Sequence, residues 1–278
     1  MALGTPQDLT ITPRDRRFGR GMRQDRWWHG GDPVATAFYN ALSATFPLGE
    51  AFFIDSVRKF RDQVHDALRA QIADFTRQEG MHSREHVEFN RHVTEAGFDL
   101  SPIEGRLRER IKEQRELPPH ISLAVTACLE HLTAILADVW LKDDIHFKGA
   151  PDDIIQLWRW HAIEEVEHKA VAYDTFLYTT RKLPAWKRYL FRSRVMLRVT
   201  RRFMHARVLD MADLFQQDGI NKAATWFRVV GYLFGKPGLL RRIFPAWLAF
   251  FRPGFHPWDE DNRELIAQAE AALVAQAA

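Results

Sequence analysis

Between Leu68 and Val93 the apolar positions recur at alternating steps of three and four, so Leu68, Ile72, Phe75, Phe89 and Val93 share one face of a helix predicted over about 67–96. Glu79, His82 and His86 fall in the middle of that same stripe. A second helix, over about 152–181, repeats the arrangement: Ile154, Trp158 and Ala172 share a face with His161, Glu165 and His168. A third, ISLAVTACLEHLTAILADVWL, reads as a buried helix with Glu130 near its centre. Upstream the pattern is helical from Asp32, interrupted at Pro47 and Gly49 in FPLGE, with a turn expected within 60–67. The stretch SPIEGRLRERIKEQRELPPH reads as a short charged helix ended by Pro-Pro, and Gly97 and Lys148–Pro151 mark further breaks. No segment sustains a two-residue alternation. The expected fold is therefore all-α, with four long helices over 33–181 and more helices around them over 185–255.

A carboxylate or imidazole on an apolar helix face is costly unless something neutralises it. Here four helices each place such groups on what should be an inward face, and no Lys or Arg lies on those stripes. Metal is the natural compensator, because carboxylates and neutral imidazoles are ligands. The spacing agrees. Glu79/His82 and Glu165/His168 are both Glu-x-x-His, and positions i and i+3 share a helix face. Glu50 and Glu130 come from the other two helices. One Glu from each of two helices, plus Glu-x-x-His from each of two others, is the ligand set of ferritin-like dinuclear carboxylate proteins.

Neighbouring groups read differently. Glu85, Glu88, Glu164 and Glu167 are expected off the ligand face, solvated or paired with adjacent helices. Asp55 points away from Glu50 towards an Arg partner, and His131 lies about 100° from Glu130. Cys128 is expected as a small core residue. With one cysteine there is no disulfide framework. There is no run of about 18 uninterrupted apolar residues and no signal-type apolar core at the N-terminus. A cytoplasmic location is the corresponding expectation.

The segments FPLGE, QEGMHSREH, CLEHLTA, WHAIEEVEHKAVAYD and FHPWDED resemble a bacterial family of predicted metal-dependent hydrolases within the ferritin-like superfamily. The resemblance spans about 30–260. His161, Glu165 and His168 together form His-x-x-x-Glu-x-x-His, which is similar to the di-iron arylamine N-oxygenases, where an extra His supplements the usual two. The resemblance implies seven metal ligands: Glu50, Glu79, His82, Glu130, His161, Glu165 and His168. His86, one turn beyond His82, is left as a hydrogen-bonding support, an additional ligand or a core histidine.

Glutamates with terminal histidines suit iron or manganese, so the expected cofactor is two iron ions, with manganese or a mixed pair as alternatives. The first functional expectation is an O2-dependent oxidase or oxygenase acting on a small or lipid-like substrate, with an electron donor. A metal-dependent hydrolase and a metal or redox store without organic substrate are the alternatives. Ala127, Thr133, Ala134 and Ala137 beside Glu130 leave room for a substrate, and Trp158 and Trp160 either wall that space or fill the core.

The net charge of +3 hides an asymmetry: residues 181–256 hold 16 Lys/Arg against 3 Asp/Glu, and the rest of the chain is acidic. The expected organisation is an irregular Arg-rich arm over 1–30 anchored by Trp27, Trp28 and His29, a metal-binding bundle over 31–182, and a basic helical extension over 183–278. In 185–209, Trp186, Tyr189, Leu190, Met196, Leu197, Phe203 and Met204 gather on one side and Arg194, Arg198 and Arg201 on another. Either the apolar stripe packs on the bundle with the arginines pairing its acidic surface, or 185–255 makes a peripheral membrane contact. An acidic carrier or anionic acyl substrate is a further option. No nucleic-acid motif accompanies the cations. Association into a homodimer is an additional expectation.

Overall fold

The computed structural model describes residues 4–21 and 24–277, and among these there is no β-strand. The helices are α1 (Pro33–Ser43), α2 (Phe46–Arg58), α3 (Asp66–Glu95), α4 (Ser101–Arg115), α5 (Pro119–Lys142), α6 (Asp152–His168), α7 (Val171–Thr179), α8 (Ala185–Gln217), α9 (Ala223–Val230), α10 (Leu239–Ala249) and α11 (Arg263–Ala277). A π-turn over Gly231–Gly235 joins α9 to α10. The chain is all-α, as its periodicity predicts.

Helices α2, α3, α5 and α6, with α7 continuing α6, pack on one another as the bundle. The face of α3 read from the sequence is the buried face: Leu68, Ile72, Phe75, Glu79, His82, His86, Phe89 and Val93 are all inside. Pro47 starts a helix rather than kinking one. It occupies the first turn of α2, where its missing N–H costs nothing, and so sets Glu50 one turn into that helix. The helix expected over 152–181 is divided at Lys169 and Ala170 into α6 and α7. The division falls directly after His168, where Lys169 turns inward and donates to the Glu260 carbonyl at 2.8 Å and to Asn262 Oδ1, with its ammonium 3.9 Å from the Trp258 ring centroid.

Helix α5 is long and apolar enough to cross a membrane by composition alone, yet it is mostly buried in the bundle and carries Glu130 inward. The remaining helices cover the bundle: α8 lies on α1 and α5, α10 on α5, and α11 on α6. The segment around His256 closes one end, where His256 Nε2 meets Asp174 Oδ1 of α7 at 2.8 Å.

The N-terminal arm is more closely held than its composition predicts. Trp28 and His29 are buried, but Ile11 is too, and residues 11–20 run as an extended strap over α3 and α6. Thr12 and Arg14 donate backbone N–H groups to Glu167 and Glu164, and Phe18 donates its own to Glu85. These carboxylates satisfy peptide groups that no secondary structure partners.

Candidate metal centre

Four helices deliver the seven side chains to one buried place. Glu50 comes from α2, Glu79 and His82 from α3, Glu130 from α5, and His161, Glu165 and His168 from α6; none is more than 3% exposed. Their ligand-type atoms form two groups, Glu50/His82/His161 and Glu79/Glu165/His168, each with those atoms within 4.8 Å of one another. Glu165 faces both. Its Oε1 is 2.8 Å from His161 Nε2 and 3.8 Å from His82 Nδ1, while its Oε2 is 3.8 Å from His168 Nε2. Glu79 Oε1 and Glu130 Oε2 approach His168 Nε2 at 3.2 and 3.4 Å.

The inward atoms are unsatisfied. Glu50 Oε1, both oxygens of Glu79 and of Glu130, Glu165 Oε2, His82 Nδ1 and His168 Nε2 have no hydrogen-bond partner. A buried, partnerless polar atom costs of order 1–3 kcal/mol, and more when charged. Concentrating eight around one point is therefore expensive unless cations sit there. The residues present fit two divalent ions with mixed oxygen and nitrogen ligands.

The opposite edges of the imidazoles are held by protein acceptors. His82 Nε2 lies 3.1 Å from Glu164 Oε2, which accepts its proton and leaves Nδ1 as the inward lone pair. His168 Nδ1 lies 2.9 Å from Gln78 Oε1; the Gln78 amide is oriented because its Nε2 donates to Glu167 Oε2 at 2.9 Å, so His168 presents Nε2. His161 Nδ1 lies 2.6 Å from His86 Nε2 and presents its own Nε2. Such outer partners fix the tautomer and raise ligand basicity. His86 has both nitrogens engaged by protein, Nδ1 by Ser43 Oγ at 2.8 Å and Nε2 by His161.

Burial dominates the electrostatics of the metal-free chain. It pushes Glu50 and Glu79 well above the usual carboxylate range, with neighbouring carboxylates adding to the effect, and raises Glu130 to about 7. For Glu165, burial is outweighed by its bond to His161 and the nearness of His168, and its carboxyl is held well below the usual value. His168 shows the converse: burial lowers it, but Glu130, Glu165 and Glu79 together raise it well above an ordinary imidazole. His82 and His86 are driven down by burial first and by His161 second.

The groups beside the centre are mostly paired. Of the two alternatives for them, Glu85, Glu164 and Glu167 are paired and buried rather than solvated, with partners in the arm as well as on neighbouring helices. Arg14 explains two of them: its guanidinium meets Glu167 Oε1 at 2.6 Å and Glu164 Oε1 at 3.6 Å. Glu85 pairs with Arg20 and Arg84. Glu88 stays at the surface with Arg91, and Asp55 pairs with Arg115 at 2.8 Å. His131 is buried, and its Nε2 meets the Ala246 carbonyl of α10 at 3.2 Å, so it ties α10 to the bundle. Cys128 is a buried free thiol.

Trp158 and Trp160 both fill the core and wall the centre. Trp158 lies parallel to His161 at 6.4 Å, and Trp160 meets His82 edge-on at 5.0 Å. The small residues of α5 divide. Ala134 lines a cavity of about 370 Å³ between α5, α6, α10 and the 255–262 segment, whereas Ala127, Thr133 and Ala137 are not among its lining, nor is any of the seven ligand-type residues.

Among known families, residues 12–261 match the model of the predicted metal-dependent hydrolases, and the chain belongs to that family. No curated protein and no solved structure matches the chain.

Proposed function

We propose that this member of the metal-dependent hydrolase family holds two iron ions on Glu50, Glu79, His82, Glu130, His161, Glu165 and His168, and uses them for O2-dependent oxidation of a small or lipid-like organic substrate. The observation that carries the reading is the convergence of eight partnerless oxygen and nitrogen atoms in the interior of a helical bundle. Four carboxylates against three imidazoles, with no thiolate, suit iron or manganese better than a sulfur-seeking metal. When bound, two ferrous ions would supply two of the electrons that dioxygen reduction needs; the substrate or an external donor supplies the rest.

The chain's own contribution is orientation, insulation and proton control. Glu164 holds the proton of His82 Nε2, Gln78 that of His168 Nδ1, and His86 accepts that of His161 Nδ1. Each imidazole ring is thus oriented before any ion arrives. Phe75, Phe46, Trp158 and Trp160 pack against the three rings and keep water from them.

Hydrolysis is the second reading, favoured by the description of the family itself. It would need a Lewis-acidic ion that lowers the pKa of a bound water. The two readings separate in one experiment. Protein loaded anaerobically with ferrous iron and then exposed to air should consume O2 and change its near-ultraviolet absorption, and Glu130→Ala should abolish both. A zinc-loaded form that turns over ester or amide substrates fully, with no response to O2, establishes hydrolysis instead.

A further inference from the structure

Most of the large apolar side chains left exposed lie in one part of the chain. Leu183, Trp186, Leu190, Leu197, Phe227, Phe234, Phe244 and Leu248 are each more than a third accessible, and Phe227 reaches 76%. The split of α8 differs from the sequence expectation. Met196 is fully buried and Tyr189 and Phe203 are half-buried, whereas Trp186, Leu190 and Leu197 face outward. At 100° per residue those three fall within about 40° of one another, and Lys187, Arg194, Arg198 and Arg201 occupy the adjoining sector.

These cations are not spent on the acidic bundle. Lys187, Arg194, Arg198, Arg201 and Arg202 are exposed and form no ion pair among the described residues, and no Asp or Glu occurs between 185 and 209. Arg207 and Arg192 are the inward exceptions. Arg207 pairs with Asp210 at 2.5 Å, and Arg192 donates to the Phe250 and Arg252 carbonyls. Helix α10 joins the same layer through Trp247 Nε1, which donates to Thr200 Oγ1 of α8 at 2.9 Å, and it adds exposed Phe244 and Leu248.

We propose that the outward side of α8 and α10, together with the exposed Phe227 and Phe234 of the segment that joins them, docks on an anionic lipid bilayer. Unpaired cations call for an anionic partner, and apolar and aromatic groups at their flank call for a medium that accepts both together. The headgroup–acyl boundary does so, taking the rings to shallow depth while Lys and Arg meet lipid phosphates. Trp186, Leu190 and Leu197 also stand in a row along α8 about 17 Å long, at 1.5 Å per residue, rather than in a pocket. A fluid surface conforms to a ridge; a nucleic acid would leave Leu197 and Phe227 without use.

The test is flotation of the metal-loaded protein with vesicles of phosphatidylcholine, alone and containing phosphatidylglycerol. Binding is expected only to the anionic vesicles, weakening as salt rises. Each of Arg194→Gln, Arg198→Gln and Arg201→Gln should lower partitioning by roughly fivefold, the equivalent of about 1 kcal/mol per charge at a lipid surface. Leu197→Ser and Phe227→Ser should lower it at constant charge. Because these side chains are exposed, melting temperature and metal content should stay unchanged, which separates lost docking from misfolding. Quenching by brominated lipid should reach Trp186 and fall in Trp186→Phe. Failure to float with anionic vesicles overturns the proposal. So does equal flotation with neutral vesicles, or a stable dimer abolished by Leu197→Ser that does not bind vesicles at all.

Discussion

His86 Nε2 stands 2.6 Å from His161 Nδ1, and the direction of that bond is fixed by residues farther out. The Asn90 amide donates through Nδ2 to the Ser43 carbonyl at 3.0 Å, so its Oδ1 faces the Ser43 hydroxyl at 2.7 Å and accepts from it. Ser43 Oγ has thereby given its only proton, and must accept from His86 Nδ1 at 2.8 Å. Neutral His86 is then left with a lone pair on Nε2, to which His161 Nδ1 donates. His161 Nε2 and Glu165 Oε1, 2.8 Å apart, either share a proton or both turn to a cation.

Ser43→Ala breaks this chain at its centre while touching no ligand. His86 Nδ1 loses its acceptor and the ring gains freedom to change tautomer. Affinity at the His161 side should fall by about 10–100-fold, the usual effect of removing an outer partner of a metal-bound histidine. Titration with Fe(II) or Co(II) followed by calorimetry should resolve one weakened site and one unchanged. Two unchanged sites would remove His86 from any positioning role.

Metal removal should destabilise the protein and take up protons. In the metal-free chain burial holds Glu50 and Glu79 protonated and raises Glu130 to about 7. Loading requires those carboxyls ionised, so binding at neutral pH should release protons into a weakly buffered solution. Differential scanning calorimetry with and without chelator should show a higher melting temperature for the loaded form, increasing with free metal concentration. A chelator-insensitive melting temperature argues against the centre.

Arg14→Ala should destabilise the protein even though it lies in the arm. The guanidinium is only 10% accessible and pairs with Glu167 and Glu270 besides approaching Glu164. Removing one member of a buried ionic cluster typically costs about 3–5 kcal/mol, because the remaining carboxylates stay buried. Urea unfolding gives the number. The same variant should weaken metal binding, since Glu164 carries His82 and Glu167 carries Gln78. A loss below about 1 kcal/mol with intact metal affinity, the scale of an exposed pair, would show the strap to be dispensable.

What the sequence makes legible is what helical spacing controls. Glu79 and His82, or Glu165 and His168, share a face whatever surrounds them, so the residues that converge can be read before the fold is known. Glu164 and Glu167 cannot be read that way. They lie on another face of the same helix, and whether that face meets water or the arm depends on where residues 11–20 run, which no periodicity encodes. The pair of Arg14 with Glu167 is separated by 153 residues. Helix α8 poses a related problem. Its apolar residues form two stripes, Met196 with Phe203 and Trp186 with Leu197, and composition does not reveal which one the bundle covers. The division of α6 from α7 falls where Lys169 reaches a segment some 90 residues away.

Acid should loosen the segment that follows α5 through His146. His146 is 1% exposed, and burial, helped by Arg242, lowers it from 6.5 to about 4. Neither ring nitrogen has a hydrogen-bond partner, while its carbonyl accepts from Tyr39 and meets His29 Nε2. Between pH 6.5 and about 4 the unfolded chain binds a proton here and the folded chain does not. Stability is therefore full above 6.5 and declines as pH falls through that window. Urea midpoints measured across it should fall with acidification, and His146→Leu should flatten the slope while the backbone bonds to Tyr39 and His29 persist. If His146→Leu leaves the slope as steep as before, His146 is not the group that senses the acid.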